Sequence, residues 1–358
     1  MEHSPSVSVR APAGDSKHGH FDFAALLKGC TLPLDAQSLA DAARQLVAAC
    51  PTLPQPGGGH TLARWQFLAG LAGHDLSLIK IYEAHADALA IQAEFAAPGM
   101  PRCGAASSAD PAIWGVWAAR SPCNELRYTS SRSGQVLLSG VKPWCSGAAF
   151  VTHALVTCVD SDDRDWLAAL PVGQPGVTVT ARGWEAVGMA ATQSVEIDVL
   201  NAQATLVGPS GGYLRRPGFW HGGAGIAACW YGAAAALAVR LRDAARQRDD
   251  PHLSAHLGAA DVALSAARAL LREAARTIDS APEADSMALA LRVRAAVESA
   301  VDATLHACAR GLGAAPLCRN RWFARMAADL PVFVRQSHAE HDLAALAKRT
   351  AAHEDWSL

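Results

Sequence analysis

The spacing of apolar positions changes twice along this chain. AQSLADAARQLVAAC (36–50) is helical in composition, and residues 62–95 keep helical spacing with a break near Gly73–Asp75. PTLPQPGGGH separates these stretches, and Pro98, Pro101 and Gly104 close a first, helical region over 21–110. From 111 to 208 the pattern shortens to apolar runs at 113–119, 135–140, 153–159, 166–172, 176–181 and 194–200, with Gly, Pro, Asn and Asp between them. Six or seven short strands at that spacing predict a small antiparallel sandwich or barrel. From 209 to 358 helical spacing returns. Leu257, Ala260, Leu264, Ala267, Leu271, Ala274 and Ile278 step by three and four, and Val297, Val301, Leu305 and Cys308 do the same in the next helix. Ala-rich helices of this kind pack as an antiparallel bundle. The predicted class is multidomain α+β, ordered helices, strands, helices. Strands not interleaved with helices argue against a doubly wound parallel sheet.

Composition narrows this picture. A net charge of −2 gives no electrostatic reason to expect nucleic acid or a membrane surface. GGAGIAACWYGAAAALAV (222–239) is uncharged, but Ala and Gly are weakly hydrophobic and Arg240, Arg242 and Arg246 follow at helical spacing. It reads as a helix buried among helices, not a membrane span. Nine Cys stand singly with no CxxC pair, the pattern of reduced thiols in a cytoplasmic protein without disulfides or a zinc site. The polar residues 1–20 lack the apolar core of a signal peptide and are expected to be a disordered tail. His18 and His20 in that tail have no third ligand beside them, so no metal site is expected.

One stretch asks for more than packing. Leu138-Ser139-Gly140-Val141-Lys142-Pro143-Trp144-Cys145-Ser146-Gly147 places an indole, a thiol and a hydroxyl in a row between two apolar runs. A tight connection there needs its Gly and Pro and can manage without the other three. The stretch resembles the Leu-x-Gly-x-Lys-x-Trp-Ile-Thr/Ser-x-Gly turn in the β-domain of the acyl-CoA dehydrogenase family. Other matches follow in order over residues 60–350. Gly188–Ser194 resembles the Gly-Met-Arg-x-Thr/Ser loop with Ala190 in place of Arg, and Gly311-Leu312-Gly313 resembles a Gly-rich turn at the cofactor pyrophosphate. The resemblance implies FAD as cofactor and an acyl thioester such as acyl-CoA as substrate. It implies a homodimer or homotetramer, since each cofactor is completed by a second subunit. Trp144 would stack near the flavin ring, Ser146 would meet its N5 edge, Trp117 would end a lining strand, and Gly311 and Gly313 would admit the pyrophosphate. Cys145 belongs to the same cofactor-side turn, although its own chemistry reads as packing.

The departures are as informative. In the family a carboxylate removes the proton next to the thioester. Here the terminal segment offers Val334 or Gln336, and the alternative position, on the first bundle helix, offers His221. The substrate-side Gly-Ser-Asp is replaced by Arg120-Ser121-Pro122-Cys123, and the Arg-x-Phe-Gly of the adenine end by Arg248-Asp249-Asp250-Pro251-His252. His338 and Asp342, four apart, share a helix face and can pair, which orients an imidazole and raises its basicity. His338, Asp342 and His221 are therefore the candidate catalytic residues, although a capping box of Ser337 with Glu340 explains part of that segment. Arg319, Arg321 and Arg325 are candidates for a phosphate. Three activities remain open: acyl thioester dehydrogenation, flavin-dependent monooxygenation on the same fold, and a degenerate subunit of an active paralogue.

Overall fold

The computed structural model describes residues 21–96, 111–121, 125–130, 135–353 and Trp356. The expected tail, with His18 and His20, and the Pro98–Gly104 closure lie outside the described residues. Four helices come first: α1 (Phe23–Leu26), α2 (Ala36–Ala49), α3 (Thr61–Ala72) and α4 (Leu76–Phe95). The break between α3 and α4 falls where the sequence places it. Asp75 starts α4 by accepting from Leu78 N with one oxygen, and its other oxygen takes Leu34 N.

Seven strands follow: β1 (Trp114–Trp117), β2 (Leu126–Ser130), β3 (Gln135–Cys145), β4 (His153–Val159), β5 (Asp165–Pro171), β6 (Val177–Val179) and β7 (Val195–Leu206). The pairings β4–β2–β3–β7–β5–β4 close on themselves, so the sheet is a barrel, with β1 attached to β4 and β6 to β7. Closure removes the free edges that a small open sheet would expose. Most pairs are antiparallel as expected, but β1 and β2 run parallel to β4. β2 went unread because LRYTS presents only one strongly apolar residue at its start. β3 is longer than its apolar run: it carries through Gly140 and Pro143 to Cys145, with register shifts after Leu138 and after Lys142. The positions read as a turn are therefore bulges within a strand that bends.

The second helical part holds α5 (Gly212–Arg215), α6 (Pro217–Gln247), α7 (Pro251–Ser280), α8 (Met287–Leu312), α9 (Ala314–Arg319), α10 (Arg321–Phe333) and α11 (Glu340–His353). α6 is long and apolar enough to cross a membrane, yet 67% of its apolar window is buried in the fold. It is the central helix, packed on α3, α7 and α8. At Gly232 a Cβ would stand 2.0 Å from Ala69 O, so the backbones of α3 and α6 touch through that glycine. The predicted stripes hold: Ala260, Ala267, Leu271, Ala274 and Ile278 are buried on α7, and Val297, Val301 and Cys308 on α8.

Candidate functional site

The end of β3 folds into an unusual turn. Trp144 has φ +58° and leaves its indole 47% exposed. A bulky side chain in the left-handed region costs about 1–2 kcal/mol. The register shift after Lys142 reverses the alternation, turning Trp144 outward and Cys145 inward. Cys145 is fully buried, its Sγ donates to Lys142 O at 3.2 Å, and burial pushes its thiol well up. Its side chain packs inward, not on the outer side of the turn where the resemblance put it.

Two supports fix the turn from below. Trp117 is 2% exposed and donates from Nε1 to Ser146 O at 3.2 Å, so it braces the turn and does not line an open surface. Lys142 is buried and donates from Nζ to Ala119 O (2.8 Å) and Thr157 Oγ1 (2.6 Å), tying β3 to the exit of β1. With only neutral partners, burial pulls its ammonium down to about 8. A cavity of about 10 Å³ beside it has room for no more than a water.

The third support is the loop Gly188–Ser194. Gly147 N donates to Thr192 O at 2.8 Å. Thr192 Oγ1 donates its single hydrogen to Met189 O at 2.7 Å. Ser194 Oγ must then donate to Thr192 Oγ1 at 2.9 Å, and Ser146 Oγ to Ser194 Oγ at 2.8 Å. This chain spends the Ser146 hydrogen inside the protein. Its oxygen keeps a free lone pair, so Ser146 meets any ligand as an acceptor.

The other predicted residues lie elsewhere. His221 is 2% exposed, its Nε2 is 3.3 Å from Ser286 Oγ, its ring lies against Gly57, and burial lowers its pKa. It joins two loops and is a structural histidine. His338 and Asp342 do pair, Nδ1 to Oδ1 at 3.4 Å, with the His338 side chain 76% exposed. Asp342 also accepts from His338 N at 3.1 Å, and Ser337 Oγ from Ala339 N. The start of α11 is thus tied by Asp342, not by the expected box with Glu340. Among the described residues no hydrogen bond or ring contact joins either histidine to the turn. Gly311 is no turn residue either: it sits in α8, where a Cβ would be 2.7 Å from Leu241 Cδ1. Gly313, φ +68°, caps that helix in open space. Arg325 lies 4.0 Å from the buried carboxylate of Asp329, which occupies it.

The loop 188–194 is legible in the sequence, but Thr192 and Ser194 carry no predicted role there, and neither does Asp329. Asp329 had a signal. It is a lone carboxylate beside the apolar stripe Phe323, Met326, Leu330 and Phe333 of α10.

No family model matches the chain, and no curated protein sequence does. Solved structures match over most of its length. FMN-bound TdsC from Paenibacillus sp. A11-2 is 17% identical with a TM-score of 0.75, over 89% of this chain and 92% of that one. Methanesulfinate monooxygenase MsuC from Pseudomonas fluorescens is 20% identical with a TM-score of 0.70, over 90% of each. Nitrososynthase from Micromonospora carbonacea var. africana is 19% identical with a TM-score of 0.70, over 81% of this chain and 82% of that one. The fold is acyl-CoA dehydrogenase-like.

Proposed function

We propose that this chain is a flavin-dependent oxidoreductase whose isoalloxazine ring docks on the Trp144–Ser146 turn. One observation carries the reading: an exposed indole held on left-handed backbone beside a buried hydroxyl chain. The strained bulge turns the indole outward, and a planar aromatic ligand is what such a surface suits. The groups presented fit a flavin. Trp144 offers a stacking face and Ser146 an acceptor. TdsC, a protein of the same fold, is FMN-bound in its crystal structure.

The residues favour FMN over FAD. The segment that would meet the adenine end carries Asp249 and Asp250, and Asp250 is committed to the start of α7, accepting from His252 N and Leu253 N. Gly311 is a helix-packing residue and not a pyrophosphate turn. Monooxygenation is the better reading of the reaction. The position of the family's catalytic carboxylate is filled by Val334, buried, and Gln336, whose backbone oxygen takes Arg294. A reduced flavin supplies dioxygen activation. The chain's part is to stack the ring on Trp144, hold a hydrogen at N5 against the Ser146 acceptor, and exclude water. His338, exposed and paired with Asp342, is retained as the candidate proton carrier once substrate or a second copy covers it. Assembly as a homodimer or homotetramer belongs to the same proposal.

Dehydrogenation of an acyl thioester is the second reading, favoured by the Leu138–Gly147 motif itself. Spectra separate the two. The protein, loaded with FMN or FAD, is mixed with acyl-CoAs without oxygen; separately, its reduced form is mixed with oxygen. Oxygen consumption with no bleaching by acyl-CoA is expected. Anaerobic bleaching by an acyl-CoA would establish dehydrogenation, and absence of bound flavin in either redox state would end both readings.

A further inference from the structure

The hydroxyl chain beneath the turn ends on Met189, and Met189 is held from outside the barrel. Asp329 on α10 is 1% exposed, and its Oδ1 accepts from Met189 N at 2.6 Å. Met189 itself has φ +56°. At the preceding residue, a Cβ on Gly188 would stand 2.3 Å from Ala328 O, so the loop lies directly on the backbone of α10. The connection is continuous. Asp329 fixes Met189 N, Met189 O fixes the Thr192 hydroxyl, Thr192 fixes Ser194, and Ser194 fixes Ser146.

We propose that Asp329 is a positioning residue for the ligand-facing turn, setting from the helical bundle the direction in which the Ser146 hydroxyl points. The proposal rests on the flavin reading for what the turn binds, but not for the coupling itself. A buried carboxylate is a poor choice if Met189 N merely needs an acceptor. Burial pushes Asp329 up to about 6, against partial offsets first from the Met189 N–H, which bonds the ionised form more strongly, and then from Arg325, with Asp75 working in the same direction as burial. Those two are the charged groups that face it. Arg325 comes from its own helix and Asp75 from the start of α4. The loop 188–194 brings no titratable side chain, and α6 directs Arg240 to the Trp322 ring instead. The ionised form is nevertheless the stronger acceptor for a backbone N–H. An acceptor that titrates makes loop order, and with it ligand affinity, fall as pH drops through the range where Asp329 takes up a proton.

The test uses wild type, Asp329→Leu and Asp329→Asn. Hydrogen exchange of the Met189–Ser194 amides, corrected for the intrinsic rate, and FMN titration are both followed from about pH 5 to about pH 8. In Asp329→Leu the loop amides should exchange about tenfold faster at neutral pH and FMN affinity should fall about tenfold, as expected for loss of one charge-assisted hydrogen bond. Asp329→Asn keeps an acceptor and cannot titrate. It should show at every pH the weaker loop protection that wild type reaches only at low pH, without the pH dependence of wild type. Unchanged loop exchange in Asp329→Leu, or a wild-type pH profile in Asp329→Asn, would overturn the proposal. A wild type that binds no FMN at any pH would defeat the flavin reading alone, with loop exchange still deciding the role of Asp329.

Discussion

The turn at 144–147 and the segment at 334–342 were both plausible sites by sequence, and the structure treats them differently. His338, largely exposed, pairs with the half-buried Asp342 at the start of α11, an arrangement that helix-start chemistry accounts for. The turn is explained by no such local rule. It spends strain on Trp144, exposes an indole, buries three hydroxyls in a directed chain, and ends that chain on a costly carboxylate. Features that cost stability without a folding return mark function more reliably than a cluster of ionisable residues.

That contrast can be broken by experiment. The largest effect should come from Gly188→Ala. Its Cβ has no room against Ala328 O, so the loop must lift from α10, at about 3 kcal/mol in denaturant unfolding. Next is the pH dependence of Asp329. Its folded value, about 6, lies above the ordinary 3.8, so the folded state holds its proton more tightly than the unfolded state. Stability from this group is therefore present at low pH and lost as pH rises from 3.8 to about 6, by about 3 kcal/mol at 1.36 kcal/mol per pH unit. Asp329→Asn should flatten that limb of the stability curve. Trp144→Gly should separate cost from use. Removing the left-handed strain should stabilise the fold by about 1 kcal/mol while FMN affinity drops at least about tenfold. The smallest effect belongs to the other region: His338→Ala should change stability by less than about 0.5 kcal/mol, because the His338 side chain is largely solvated. It should leave FMN affinity unchanged and lower turnover.

Much of the architecture was legible. Helical periodicity located α2, α3, α4, α7 and α8, and the order helices–strands–helices fixed the class. The misses have specific causes. β2 carries too little apolar patterning to announce itself, and β3 hides its last third behind Gly140 and Pro143, which a bulged strand tolerates and sequence reads as a stop. At the site, the resemblance pointed to Trp144 and Ser146, but Trp117 and Cys145 proved to be supports facing inward. One extra residue in a bulge decides which side of a strand faces out, and no spacing rule locates it. The Ser194–Ser146 and Met189–Asp329 links join residues 48 and 140 positions apart, which patterning does not carry.

With the Trp144 turn as the proposed flavin-facing surface, Ser146 meets the ring as an acceptor. Anaerobic titration of wild type and Trp144→Ala with oxidised and with reduced FMN tests it most directly. Wild type should bind both forms and prefer the reduced one, whose N5 carries a hydrogen, and Trp144→Ala should lose most of both affinities while unfolding as wild type does. Equal FMN binding by the two proteins, or a preference of wild type for the oxidised form, would contradict it.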